Sequence, residues 1–217
     1  MAAVIEDLVI LGAGGASREI ADAVSDINRL QPRWNLLGFL DDDPAKLGQS
    51  VDDLPVLGPI ASAAAYRARF VIGVAAVRNR SARSRIGATL VLSAASWATI
   101  IHPSASVSRH ATIGVGTALL QNVVVCADTV VGDHCFVDYG VMISRDACIE
   151  NFVTIAPGAT VSGGVHLGAG TYVGAGAMLR DGVSVGEGAI LGMGAVVVKD
   201  VPPAAVMVGN PARQLPG

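Results

Sequence analysis

The stretch ISRDACIENFVTIAPGATVSGGVHLGAGTYVGAGAML (143–179) places an aliphatic residue at every sixth position. Extended in both directions, the same phase holds Ile101, Val107, Ile113, Leu119, Val125, Val131, Val137, Ile143, Ile149, Ile155, Val161, Leu167, Val173, Leu179, Val185, Leu191 and Val197, with no insertion. A period of six is neither the helical period of about 3.6 nor the strand period of about 2. It fits short strands joined by tight corners, each hexad forming one side of a triangular prism with its aliphatic residue inward. Three hexads complete a coil of about 18 residues, and coils stack through parallel ladder bonding at about 4.8 Å each. Small residues recur four places after the aliphatic one, as at Thr117, Thr129, Cys135, Ala147, Ala159, Thr171 and Ala189. Of the 26 glycines, 18 lie beyond residue 100, where corners need a positive φ. The reading is a triangular parallel β-solenoid.

Composition narrows the remaining possibilities. The chain has 217 residues, 52% apolar, 4% aromatic and 15% charged, so its core is aliphatic and a disordered state is excluded. Net charge is −3, and five basic against eight acidic residues follow residue 100, which argues against a nucleic-acid partner. Mean hydropathy is +0.54. The uncharged stretch Ile86 to Ser108 is long enough to span a bilayer, but it contains Gly87, Thr89, Ser93, His102 and Pro103 and is too polar to enter one. No secretory pattern opens the sequence. Cys126, Cys135 and Cys148 are odd in number and lack C-x-x-C spacing, so buried thiols in a reducing, cytoplasmic setting are expected.

The first hundred residues read differently. LVILG (8–12) is a buried strand followed by GAGGAS (12–17) and a helix from Ser17, as N-cap, to about Leu30. LLGFLDDD (36–43), PVLG (55–58) and RFVIGVAA (69–76) are further strands, and a helix runs from Ser81 to about Leu92. Such alternation implies a small parallel sheet with α/β character. Gly12, Gly14 and Gly15 follow a strand and open a helix, the setting in which backbone amides hold a phosphate; a tight strand–helix turn is the alternative. The fingerprint of a nicotinamide site is incomplete, since Ser17 stands at its third position. Asp41 and Asp42 sit at a strand's C-terminal end, where open α/β sheets hold ligands, although strand-end aspartates also cap turns. The arginines Arg78, Arg80, Arg83 and Arg85 read as a solvent face, with a phosphate contact at Arg80 as the rival.

The hexads, together with GMGAVVVKDVPPAAVMVGNPAR (192–213), resemble the left-handed β-helix acyltransferases. With ILGAGG (10–15), GFLDDD (38–43) and IHPSA (101–105), nearly the whole chain is similar to the sugar acetyltransferases of the sialic acid O-acetyltransferase (NeuD-like) and nucleotide-amino-sugar N-acetyltransferase (PglD-like) group. The resemblance implies a Rossmann-like nucleotide-sugar domain at residues 1–98 and a left-handed β-helix at 99–217. It also implies acetyl-CoA as acyl donor with no metal, and a homotrimer with sites between neighbouring β-helices. The expected activity is N-acetylation of a nucleotide-linked amino sugar of the 4-amino-4,6-dideoxyhexose type. The rivals are sugar O-acetylation and a non-catalytic sugar-nucleotide or CoA-binding protein.

Three positions depart from that pattern. Where the group carries histidines, this chain has Arg145 (followed by Asp146), Thr154 and Ala16. Arginine does not act as a base, so the amine loses its proton late, to solvent or to a carboxylate such as Asp146 or Asp138, with positioning alone sufficing, or Arg145 holds an anionic acceptor, or the chain binds without turnover. The period alone stacks Arg145, Gly163, Asp181 and Lys199 in one column, along which a pantetheine arm lies with its thioester near Gly163 and Gly164. By resemblance, an amide at Gly163 faces the acetyl carbonyl; Lys199 and Arg213, toward the C-terminal end, are placed to meet the CoA phosphates, with a solvated surface lysine as the alternative for Lys199. Among the histidines, His102 is expected to bond locally, and His134 is the best remaining imidazole.

Overall fold

A computed structural model describes residues 5–75, 81–90 and 92–216. The chain divides into two compact units, the first ending at Pro103 and the second beginning at Ser104.

In the first unit, β1 (Glu6–Leu11), β2 (Trp34–Leu40), β4 (Leu54–Gly58) and β5 (Arg69–Ile72) pair in parallel, while β3 (Ser50–Val51) pairs antiparallel with β4. Their spatial order is β3-β4-β2-β1-β5. Leu8, Val9, Ile10 and Leu11 are wholly buried, as a central strand covered on both faces must be. Helix α1 (Gly15–Leu30) lays Ile20, Ala23 and Val24 into this core. It starts two residues earlier than expected. Ser17 is therefore not the N-cap but a buried residue of the first turn, and its hydroxyl donates to Gly73 O at 2.9 Å. A Cβ on Gly73 would lie 2.8 Å from Ser17 Cα, so β5 and α1 meet there backbone to backbone. Helix α2 spans Ser81–Thr89. Arg83 on it is buried, which corrects the expected all-solvent arginine face, whereas Arg85 is exposed. Arg78 and Arg80 lie outside the described residues.

The second unit is a parallel β-helix of two-residue strands. One face stacks Ser106–Val107, Val124–Val125, Met142–Ile143, Thr160–Val161, Met178–Leu179 and Val196–Val197. A second face stacks Thr112–Ile113, Val130–Val131, Cys148–Ile149, His166–Leu167 and Ser184–Val185. A third runs through Ala118–Leu119, Phe136–Val137, Thr154–Ile155, Tyr172–Val173 and Ile190–Leu191 to Val206–Val208. The sixth-place aliphatics from Leu119 to Val197 are at most 1% exposed and form one continuous column. Ile101, at the start of the same phase, is exposed. The small residues four places on share the interior, and threonine is admitted there because its hydroxyl reaches a carbonyl. Thr117 donates to Gly132 O at 2.7 Å and Thr129 to Ser144 O at 2.9 Å.

The corners repeat as strictly as the interior. Every sixth residue from Gly116 to Gly194 has a positive φ, whether glycine or one of Asn122, Asp128, His134, Asp146 and Phe152. Side chains on one coil also hold amides of its neighbour. Asp133 accepts from Val115 N–H at 2.8 Å, and Asn151 accepts from Asp133 N–H at 2.8 Å.

Candidate active site

In the first unit the glycine loop opens on an uncapped helix end. Gly14 is the N-cap of α1 without a side-chain hydrogen bond, and no acidic residue lies in the first turn. A Cβ on Gly14 or Gly15 would meet nothing within 4 Å, so the side-chain positions of this turn border open space, and a helix N-terminus favours an anion. Gly12 has another role. It is buried at φ +104, its N–H donates to Leu40 O at 2.7 Å, and a Cβ there would sit 2.8 Å from Val74. Gly12 is thus fixed by close packing and by the end of the neighbouring strand.

Asp41 is held from three sides. It accepts from Ala13 N–H at 2.7 Å and from Asp43 N–H at 2.9 Å, and it pairs with Lys46 Nζ at 3.0 Å. Burial pushes its carboxyl up, but the Asp43 amide, Lys46 and the Ala13 amide together hold it below the ordinary carboxylate value. Asp42 accepts from Ile60 N–H at 2.8 Å. Both aspartates therefore hold backbone amides at the strand ends. Lys46, five residues beyond Asp41, escaped the sequence reading; its only sign was the spacing in DDDPAK (41–46).

In the β-helix, Gly164 N–H donates to Arg145 O at 3.0 Å and Gly182 N–H to Gly163 O at 2.9 Å, which stacks Arg145, Gly163 and Asp181 coil over coil. Lys199 continues this column and is exposed. The Gly163 amide, expected to face an acetyl carbonyl, instead donates to Asp181 Oδ1 at 2.8 Å. Asp181 thus repeats the corner role of Asp133 and Asn151. Arg213 is exposed, with Nη1 donating to Ala212 O at 3.0 Å. Arg145 and Asp146 are both exposed and approach at 3.6 Å.

Asp138 differs from these. It follows the strand Phe136–Val137, whereas Arg145 and Asp146 follow Met142–Ile143, so a whole face separates them in one protomer. The three expected catalytic side chains are not brought together there. Asp138 is half-buried, and its Oδ1 accepts from Tyr139 N–H at 2.8 Å. Burial pushes its carboxyl above the ordinary range, with the Tyr139 amide opposing. Tyr172, on the same face two coils along, has its phenol raised by burial and then by the Asp138 charge. The sequence reading did not single out Tyr172, whose neighbour stands 34 positions away.

The histidines are otherwise engaged. His134 is buried, at φ +54, and stacked on Phe152 with ring centroids 5.2 Å apart. His102 Nε2 lies 2.8 Å from Asp26 on α1, a distant partner rather than the local one expected. Burial and the Arg29 charge lower its imidazole below the ordinary value. His166 Nε2 meets Glu150 at 2.8 Å, and His110 Nε2 accepts from Arg109 at 3.0 Å. Of the three thiols, expected buried, Cys135 is buried, Cys126 is intermediate and Cys148 is exposed. Among the described residues, no group of three His, Cys, Asp or Glu side chains is placed to hold a metal, and no helix is long and apolar enough to cross a membrane.

Comparison with known proteins links these features. Residues 7–90 match the model of the PglD N-terminal domain, and residues 164–199 match that of the bacterial transferase hexapeptide, six repeats. A GDP-perosamine N-acetyltransferase of Escherichia coli O157:H7 is 32% identical over 151 residues, covering 69% of this chain and 67% of that protein. The acetyltransferase domain of PglB from Neisseria gonorrhoeae, solved with acetyl coenzyme A, is 31% identical with a TM-score of 0.86, over 98% of this chain and 100% of that one. PerB from Caulobacter crescentus, solved with CoA and GDP-perosamine, is 27% identical with a TM-score of 0.84, over 98% of this chain and 99% of that one.

Proposed function

This chain belongs to the PglD-type hexapeptide-repeat acetyltransferases, and we propose from this how its residues divide the work of the reaction. It is an acetyl-CoA-dependent N-acetyltransferase acting on a nucleotide-linked amino sugar. A 4-amino-4,6-dideoxyhexose is the finer reading of the acceptor. The observation that carries it is likeness over 98% of this chain both to a domain solved with acetyl coenzyme A and to a protein solved with CoA and GDP-perosamine.

The open N-terminus of α1 at Gly14 and Gly15 takes the acceptor's phosphate, and Asp41 keeps that loop in shape through the Ala13 amide. Acetyl-CoA lies along the column from Lys199 to Arg145, with Lys199 and Arg213 toward its phosphates and Gly163 and Gly164 near the thioester. Because Asp181 occupies the Gly163 amide, an acetyl oxygen there shares that donor or displaces the carboxylate. The reaction rests on positioning of amine and thioester, and Arg145 with Asp146 frames the acceptor.

Assembly as a cytoplasmic homotrimer is part of this reading. Met142 and Met178 project outward from one face, 46% and 53% exposed, in a column with Val124, Thr160 and Val196. Such an apolar stripe suits burial against a second copy. Pairing on that face would set the Arg145 edge of one protomer toward the Asp138 edge of the next. The test mixes the protein with acetyl-CoA and UDP-, GDP- and dTDP-linked 4-amino-4,6-dideoxyhexoses while thiol release is followed. Release with one of them is expected; binding of CoA without release from any would leave a binding protein instead.

A further inference from the structure

We propose that Asp138, on the third face of the β-helix, is the proton acceptor of the reaction, touching the amine of an acceptor sugar that meets the thioester on the Arg145 edge of a neighbouring protomer. The proposal deepens the acetyl-transfer reading and rests on it.

Eight carboxylates lie in the β-helix unit: Asp128, Asp133, Asp138, Asp146, Glu150, Asp181, Glu187 and Asp200. Four of them hold the scaffold. Asp133, Asp181 and Asp200 accept from corner amides, and Glu150 accepts from Ala169 N–H while meeting His166. Asp146 is exposed and paired with Arg145, and Asp128 and Glu187 are exposed. Asp138 alone is half-buried without bonding to another coil; its carboxylate bond is to the amide of its own successor, Tyr139.

The residues stacked over it are small. Asp138 N–H donates to Ile155 O and Ala156 N–H to Val173 O, so Ala156 and then Gly174 stack over Asp138 in one column. Gly174 carries no side chain and accepts none, since a Cβ would lie 2.7 Å from the backbone of Gly192. Thr154 and Tyr172 flank that column on the same outward side. Between the Asp138 carboxylate and the Tyr172 phenol, two coils along the same face, the column thus carries only a methyl and a hydrogen. Burial raises the proton affinity of Asp138 and keeps the Tyr172 phenol protonated, which matches an acceptor beside a donor.

The step balances. The sugar ammonium gives one proton to Asp138, and the free amine attacks the thioester carbonyl. The C–N bond forms, the C–S bond breaks, and CoA leaves as the thiolate. The thiolate takes the proton from Asp138, and the second ammonium proton leaves the nitrogen for solvent as the amide forms.

Asp138→Asn tests this, because Asn keeps the shape and the acceptor for Tyr139 N–H. With the amino-sugar panel and acetyl-CoA, kcat is expected to fall at least about 100-fold, with KM for acetyl-CoA within about twofold of the parent. The acidic limb of the pH profile should vanish in Asp138→Asn and persist in Asp146→Asn. A parent that turns over while Asp138→Asn keeps its rate, or an acidic limb lost with Asp146 instead, overturns the proposal and leaves the acetyl-transfer reading standing. A parent that releases no thiol with any amino sugar brings down both.

Discussion

The Gly163 amide donates to Oδ1 of Asp181, one coil along the β-helix, at 2.8 Å. A Cβ on Gly163 would lie 3.5 Å from that oxygen, an ordinary contact, whereas Gly164 has φ +65. Gly163→Ala is therefore expected to fold with a loss within about 0.5 kcal/mol, and Gly164→Ala to lose about 1–2 kcal/mol for a left-handed residue with a Cβ. Thermal unfolding of the two variants checks the difference. If the thioester lies against Gly163, the first variant also shows a raised KM for acetyl-CoA.

The junction of β5 and α1 gives a second prediction. Ser17→Ala strands the buried Gly73 carbonyl and should cost about 1–3 kcal/mol. Gly73→Ala drives a methyl into Ser17 and should cost at least about 1–3 kcal/mol, as overpacked cores do. Urea denaturation with fluorescence of Trp34, which is buried in the same unit, reads both. Equal stability of Gly73→Ala and the parent would contradict the close approach.

Asp138 also has a stability signature. Burial raises its carboxyl above the ordinary value, so the folded chain binds the proton more tightly than the unfolded one. The cost of the charge is absent below the ordinary carboxylate value and grows as pH rises through the window up to the raised native value. Asp138→Asn should raise Tm at pH 7, and the gain should shrink to nothing by about pH 3.5. A variant less stable than the parent at pH 7 would mean that the charged carboxylate is stabilised rather than strained by its surroundings.

Met142→Glu places a charge in the outward apolar stripe of the first face. Sedimentation should show the parent as a trimer and the variant shifted toward monomer, with the circular dichroism of the β-helix retained. A parent that sediments as a monomer would remove the role proposed for that stripe.

How far the sequence reading reached depends on whether a feature repeats. The inward column was plain because each coil imposes the same demand on residues such as Ile143, Val161 and Leu179, at most 1% exposed. The coil-to-coil alignment of Arg145, Gly163 and Asp181 followed from that period. The bond inside the column did not, since counting positions says nothing of whether Asp181 turns outward or onto the Gly163 amide. Ser17 was misread because serine before a helix signals an N-cap, and only the approach of Gly73, 56 residues away, gives its hydroxyl a better acceptor. His134 looked available because its polarity is visible in a sequence and the stacked ring of Phe152 is not.

The division of labour along each hexad has an evolutionary corollary. Winding is dictated by side chains that never meet solvent, while chemistry is written on those that point away from the axis. Arg145 and Asp138 are of the second kind, so either is replaceable without unwinding a coil. A scaffold built this way can trade one proton carrier for another, or one sugar for another, by single exchanges that leave its interior untouched.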